Sequence, residues 1–179
     1  LDSENAVCIS GTHGKTTASS MLTQIPLDSG FDPGCVLGGK LKSIGGSGRS
    51  GSDDLLVVES CEFVDTFLDL SPDIAVILNI DEDHLDYFKT LDNLIASFTK
   101  FASMSKVIIF NGDDENTIKS VQGITGKEKI TFGSDATNTY YYKNLRSPRG
   151  ERGMRYFTDR GLTPETMRMF GLGFADGAR

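Results

Sequence analysis

Ala6-Val7-Cys8-Ile9-Ser10-Gly11-Thr12-His13-Gly14-Lys15-Thr16-Thr17 joins a short apolar run to a loop bounded by glycines and then to a segment of helical composition. Ala6 to Ile9 is dense enough in apolar residues to be a buried strand. Thr16 to Ile25 reads as a helix with Ala18, Met21, Leu22 and Ile25 on one face. Strand, glycine loop and helix together bind phosphate, because glycines let backbone amides approach the anion and the free N–H groups of the helix start point the same way. Lys15 is placed to reach outer phosphates, and the Thr16 hydroxyl to meet a magnesium ion. The pattern G-x-x-x-x-G-K-[ST] asks for glycine at position 9, where Ile9 stands, so the loop is a shortened form, G-T-H-G-K-T. A chance Gly-Lys-Thr at a helix start is the competing reading, and the placement directly after a buried-type strand argues against it.

Outward from this stretch, apolar runs alternate with helical segments. Cys35–Leu37 is a candidate short strand, and Leu55–Val58 is a buried-type strand ending in Glu59. Ile74–Leu78, Val107–Phe110 and Lys129–Phe132 are further strands. Phe63–Leu70 resembles a short helix. Leu91–Met104 is a stronger one, with Leu91, Leu94, Ile95, Phe98, Phe101 and Ala102 along one stripe, and Asp113–Val121 is polar. Between Gly38 and Ser52 lie six glycines and four serines, the composition of a mobile loop. Continuous apolar strands alternating with helices predict an α/β fold: a mainly parallel sheet with helices on both faces, of the P-loop nucleotide-binding type.

The 179 residues suffice for one domain and an appendage, with 38% hydrophobic and 24% charged residues. No apolar run approaches the ~20 residues of a membrane span. The start, Leu1-Asp-Ser-Glu-Asn5, lacks both an initiator Met and the features of a signal peptide, which suggests a fragment or a missing start. Cys8, Cys35 and Cys61 are odd in number and widely spaced, so they read as reduced thiols of a cytoplasmic protein. The net charge of −7 is uneven. Residues 139–179 carry eight basic against four acidic side chains, and the first 138 residues ten against twenty-one. Seven of the eight arginines fall after residue 138, which marks a boundary there. Beyond it, Ser147-Pro148 with Gly161 and Thr163-Pro164 with Gly171 bracket two short helices, a helical C-terminal tail.

In an open parallel sheet the ligand lies beyond the carboxyl ends of the strands. Three strand ends deliver Gly11–Thr16, Glu59 with Glu62, and Asn79–His84 to that edge. Magnesium prefers oxygen ligands and keeps some waters, so Thr16 and Glu59 would suffice from the protein. The only two histidines, His13 and His84, fall on the same edge, and Asp81 and Asp83 serve equally as turn or cap residues.

Taken together, Gly11-Thr-His-Gly-Lys-Thr-Thr17, Val57-Val-Glu-Ser-Cys-Glu62 with Phe67-Leu68, Asn79-Ile-Asp-Glu-Asp-His84 and Asn111-Gly-Asp-Asp114 make residues 1–138 resemble the central ATP-binding domain of the Mur ligases. Histidine within the loop resembles the alanine-adding branch of that family. The resemblance implies ATP phosphates on Gly11, Thr12, His13, Gly14, Lys15, Thr16 and Thr17, one Mg2+ on Thr16 and Glu59, a second on His84, and catalytic roles for Lys15, Glu59 and His84. It implies formation of an amide between UDP-N-acetylmuramate and L-alanine through an acyl phosphate. No membrane partner is expected, and a nucleic-acid partner is disfavoured because the basic tail lacks an aromatic platform of any length. Two departures stand out. Many alanine-adding members carry Glu-Ala-Asp-Glu-Ser-Asp where this chain has Glu59-Ser-Cys-Glu-Phe-Val64, and no G-x-H-N motif follows, since no histidine lies after residue 84. The domain is therefore expected to be incomplete, and inactive by itself. Residues 139–179 resemble a segment of bacterial DNA primase, through Tyr140–Gly150 and Tyr156–Phe174. A folylpolyglutamate synthase-like ligase, or a chimeric chain whose basic tail associates with nucleic acid, are the alternative readings.

Overall fold

The computed structural model describes residues 5–133, 145–159 and 163–164. Its centre is a seven-stranded sheet in the order β3-β2-β4-β1-β5-β6-β7. The strands are β1 (Ala6–Ser10), β2 (Gly34–Leu41), β3 (Gly46–Arg49), β4 (Leu56–Glu59), β5 (Ile74–Ile77), β6 (Val107–Asn111) and β7 (Glu128–Phe132). All neighbours pair in parallel except β2 and β3. Among the described residues the helices are α1 (Lys15–Asp28), α2 (Leu85–Phe88), α3 (Leu91–Met104), α4 (Glu115–Gln122) and α5 (Glu151–Thr158).

The apolar strands bury both faces, as a parallel sheet requires. Cys8, Val58, Ala75, Ile77, Ile108 and Phe110 face one core, where Leu94, Phe98, Phe101 and Ala102 of α3 meet them. Val7, Ile9, Val57 and Cys35 face the other, against which Ala18 and Leu22 of α1 pack. The predicted α/β architecture is the observed one. The span of α3 matches its sequence reading residue for residue, because a long apolar stripe is the strongest local signal.

Three local expectations are corrected. Gly38–Ser52 is not a loop throughout: it holds the end of β2, a 3-10 turn at Lys42–Ile44 and the antiparallel strand β3. Gly45, at φ 69°, closes the hairpin, and Arg49 is tied to Asp32, which also accepts from Ser52 N. The inner face of α1 is also rotated from expectation. Met21 and Ile25 are more than half exposed, whereas Ser19 and Thr23 are buried. Those two hydroxyls can face inward because each donates to a carbonyl one turn back, Ser19 to Lys15 and Thr23 to Ser19, both at 2.8 Å. Phe63–Leu70, expected as an ordinary short helix, is a 3-10 segment over Phe63–Asp69 kinked at Val64 and Asp65, both in the left-handed region. Phe67, fully buried and stacked on Phe101 at 4.7 Å, anchors its far end.

In the tail, Pro148–Gly150 is a 3-10 turn leading into α5. Gly161 and Gly171, the expected ends of the two tail helices, lie outside the described residues. No helix among the described residues is long and apolar enough to cross a membrane.

Candidate phosphate and metal site

Three adjacent strands end flush. Ile9 is level with Glu59 across β1–β4, and Ser10 with Ile77 across β1–β5. The loop after β1 therefore passes between the ends of β4 and β5. Gly11 (φ 144°) and Gly14 (φ 82°) hold conformations that L side chains avoid, and a Cβ on Gly11 would meet Leu78 Cβ at 3.0 Å. Asn79, just beyond β5, clamps the loop. Its carbonyl accepts from Thr12 N at 3.0 Å, while its side-chain amide accepts from His13 N at 2.8 Å and donates to His13 O at 3.0 Å. Thr12 Oγ1 accepts from Asp81 N at 2.9 Å. The fold of the loop is thus dictated by backbone and side-chain partners just beyond a neighbouring strand end.

Gly14 is the N-cap of α1 and offers no side chain to its first amides, and the first turn carries no acidic residue. The start of the helix is left as a cluster of unopposed N–H dipoles, which favours an anion. Lys15 Nζ lies over the same loop. It donates to Gly11 O at 2.6 Å and to both oxygens of Glu62, at 2.9 and 3.1 Å. Glu62 is only 1% exposed and is paired with the Lys15 ammonium at 2.9 Å. His84 joins this pair from the far side, with Nε2 3.9 Å from Glu62 Oε1 and its ring 4.7 Å from that of Phe63. Its left-handed backbone (φ 53°) is steadied by Asp83, whose carboxylate accepts from His84 N at 2.7 Å.

A second cluster begins at the next residue of α1. Thr16 Oγ1 donates to Glu59 Oε1 at 2.7 Å, and Glu59 Oε2 accepts from Ser19 Oγ at 3.1 Å and Gly38 N at 2.7 Å. Hydroxyl and carboxylate oxygens side by side, next to an anion-binding helix start, fit a hard divalent cation such as magnesium. Among the described residues no three His, Cys, Asp or Glu side chains converge as a metal cluster, so an ion here would draw its other ligands from phosphate oxygens and water.

The expected site residues thus divide. Lys15, Glu62 and His84 form one group, and Thr16 with Glu59 another, both at the edge reached by Gly11–Gly14. The His13 side chain is exposed beside Asp81, its Nε2 at 3.8 Å, so its place in the loop is fixed through its backbone. Thr17 is exposed in the first turn of α1. The sequence reading places Glu62 and Asn79 at this edge without giving either a role, and gives Ser19 and Gly38 no part in the site. For Asn79 a signal existed, a polar amide directly after an apolar strand. Asp114, by contrast, is a helix cap, accepting from Thr117 N at 2.7 Å.

A mainly parallel sheet with a glycine loop, a lysine and a threonine–glutamate pair at the carboxyl ends of its central strands defines a nucleotide-phosphate-binding domain. The chain belongs to the Mur ligase family: the model of the Mur ligase middle domain matches residues 9–174. It is similar to the UDP-N-acetylmuramate–L-alanine ligases of Caldicellulosiruptor bescii, 48% identical over 163 residues, covering 84% of this chain and 36% of that protein, and of Caldanaerobacter subterraneus, 40% identical over 142 residues, covering 78% and 31%. The chain spans about a third of the length of these curated relatives. Among solved structures it resembles the UDP-N-acetylmuramate:L-alanyl-gamma-D-glutamyl-meso-diaminopimelate ligase from Neisseria meningitides, with a TM-score of 0.64 at 25% identity over 70% of this chain and 45% of that one. It shares its fold with the UDP-N-acetylmuramate-alanine ligase from Thermotoga maritima, with a TM-score of 0.60 at 24% identity over 72% and 30%. The family match runs through the boundary expected at residue 138, and the primase resemblance of residues 139–179 gains no support from these relatives.

Proposed function

We propose that this chain is the ATP-binding part of a cytoplasmic ligase that forms an amide between UDP-N-acetylmuramate and L-alanine in the synthesis of peptidoglycan precursors, by way of an acyl phosphate. The 40–48% identity to relatives named for that reaction supports the substrate assignment, and carries it over a folylpolyglutamate synthase-like ligase. The observation that carries the chemistry is the pairing of Thr16 with Glu59 directly after Lys15, at a helix start with no side-chain cap.

In this reading the amides of Gly11–Thr17 and the Lys15 ammonium hold the phosphates of ATP. Thr16 and Glu59 hold one Mg2+, and His84, beside Glu62, holds a second. The metal supplies neutralisation of phosphate charge when bound. The chain's own residues contribute position. Asn79 fixes the loop, Glu62 keeps Lys15 over it, and Ser19 and Gly38 orient Glu59. Residues 139–179 are a separate segment in this reading. The abrupt arginine enrichment supports that division, and the primase-like wording belongs to the same segment.

Magnesium-dependent ATP binding, measured by titration calorimetry, tests the proposal. Binding is expected for the unaltered protein and lost in Lys15→Ala/Glu62→Gln, a pair of changes that removes the ammonium without stranding a buried carboxylate. Equal binding by both proteins would exclude the assigned site.

A further inference from the structure

We propose that Gly38 and Gly39, at the end of β2, are positioning residues of the metal edge: their missing side chains leave the volume in which the Glu59 carboxylate and the Thr16 side chain meet. Two consecutive glycines weaken a strand, because they bring conformational entropy and no packing. Neither lies in the left-handed region, so the backbone there does not call for glycine. Space does. A Cβ on Gly38 would fall 2.4 Å from Glu59 Oε1 and 2.9 Å from Oε2, and one on Gly39 would fall 2.9 Å from Thr16 Cγ2.

Position and hydrogen bonding point the same way. Gly38 N donates to Glu59 Oε2 at 2.7 Å, so the bare backbone of β2 both admits the carboxylate and orients it. Glu59 Oε1 is left to Thr16 Oγ1, at 2.7 Å. An added methyl at residue 38 would press on the far end of a flexible side chain, which can swing aside while the sheet stays intact. The expected damage therefore falls on the geometry of the ligand pair and spares the fold. The hairpin β2–β3 thereby becomes a wall of the site, contributed by a stretch whose composition resembles a linker.

The inference rests on the reading of Thr16 and Glu59 as a magnesium edge, and its test separates the two. ATP affinity is measured with and without Mg2+ for the unaltered protein, Gly38→Ala, Gly39→Ala and the control Gly123→Ala, whose added Cβ meets nothing within 4 Å. The gain in affinity on adding Mg2+ is expected to fall by about 10–100-fold in Gly38→Ala and Gly39→Ala, the usual loss when an outer partner of a metal ligand is disturbed. Mg2+-free affinity and melting temperature should match the control. An unchanged gain in both variants overturns the proposal, and should Gly38→Ala fail to fold, Gly39→Ala decides it alone. A crystal structure of ligand-free Gly38→Ala is the second arm. A Glu59 carboxylate moved out of hydrogen-bond reach of Thr16 supports the proposal, and one still bonded to it refutes it. If the unaltered protein shows no Mg2+-dependent binding, the reading of the site falls, and this second arm still decides whether the glycines position Glu59.

Discussion

Lys15 and Glu62 each depend on the other for their place. Glu62 is almost wholly buried and Lys15 keeps 16% of its side chain exposed, so removing either leaves a charge in a poorly solvated position. Breaking such a pair costs about 3–5 kcal/mol, while replacing both members can be close to neutral. Urea denaturation of Lys15→Ala, Glu62→Gln and the double variant should therefore be strongly non-additive, the double variant being more stable than Lys15→Ala alone. Additive losses would show that the two side chains are not coupled. The consequence for function is that loss of ATP binding in Lys15→Ala by itself mixes a site effect with a stability effect. At this scale the sequence was legible wherever a residue's place follows from its own strand. Lys15, Thr16 and Glu59 were found because each sits at a strand end or helix start. Glu62 was noted at the right edge, but its contact with Lys15 is a tertiary one, and the turn that follows it kinks at Val64 and Asp65. A β-branched residue in the left-handed region is not something a sequence pattern announces.

At the level of elements, the sheet is pinned at both ends of its central strands. The carboxyl ends carry the site, and the amino ends are gathered by Asp73. Its carboxylate accepts from Ala6 N at 3.0 Å and pairs with Lys106 at 2.7 Å, while its carbonyl accepts from Lys106 N and Val107 N. β1, β5 and β6 are thereby held in register. The Lys106 ammonium first, then the Ala6 amide, hold the Asp73 carboxyl below the usual carboxylate range. A depressed folded pKa contributes stability that is present above the unfolded value of about 3.9 and is lost as pH falls through the folded one. The melting temperature should decline as pH is lowered past about 4, and Asp73→Asn should flatten that decline while lowering stability near neutrality. An identical pH profile for the variant would remove Asp73 from the account, leaving Asp32, lowered chiefly by its hydrogen bonds from Ser52, as the next group to examine. Legibility at this scale followed the strength of local pattern. Apolar strands and the stripe of α3 were read correctly. β3 was not, because a strand of glycine, serine and arginine has no apolar alternation, and its pairing with β2 is a tertiary fact. The face of α1 was misjudged because buried hydroxyls satisfied within the helix look polar in sequence.

For the whole molecule, phosphate binding and ligation make different demands. Holding ATP needs one loop, one helix start and a pair of oxygen ligands, all of which lie within residues 11–62. Ligation needs a carboxylate and an amine brought to the γ-phosphate together, and this chain spans about a third of the relatives named for that reaction. Holding reactants in the right geometry can supply ~7–11 kcal/mol of the barrier. A polypeptide that binds the phosphates without orienting the other two substrates forgoes that term, and turnover falls by several orders of magnitude. The 179 residues by themselves are expected to bind Mg2+-ATP weakly and to release no alanine-dependent phosphate. The assay is phosphate release with ATP, UDP-N-acetylmuramate and L-alanine all present, against the Lys15→Ala/Glu62→Gln variant as the blank. Release that requires alanine and exceeds the blank would mean that residues of this chain outside the described site bring the carboxylate and the amine together. Release that ignores alanine would instead point to simple ATP hydrolysis at the Lys15–Thr16 edge. That outcome would leave the phosphate site standing and place the gathering of the carboxylate and the amine outside these residues.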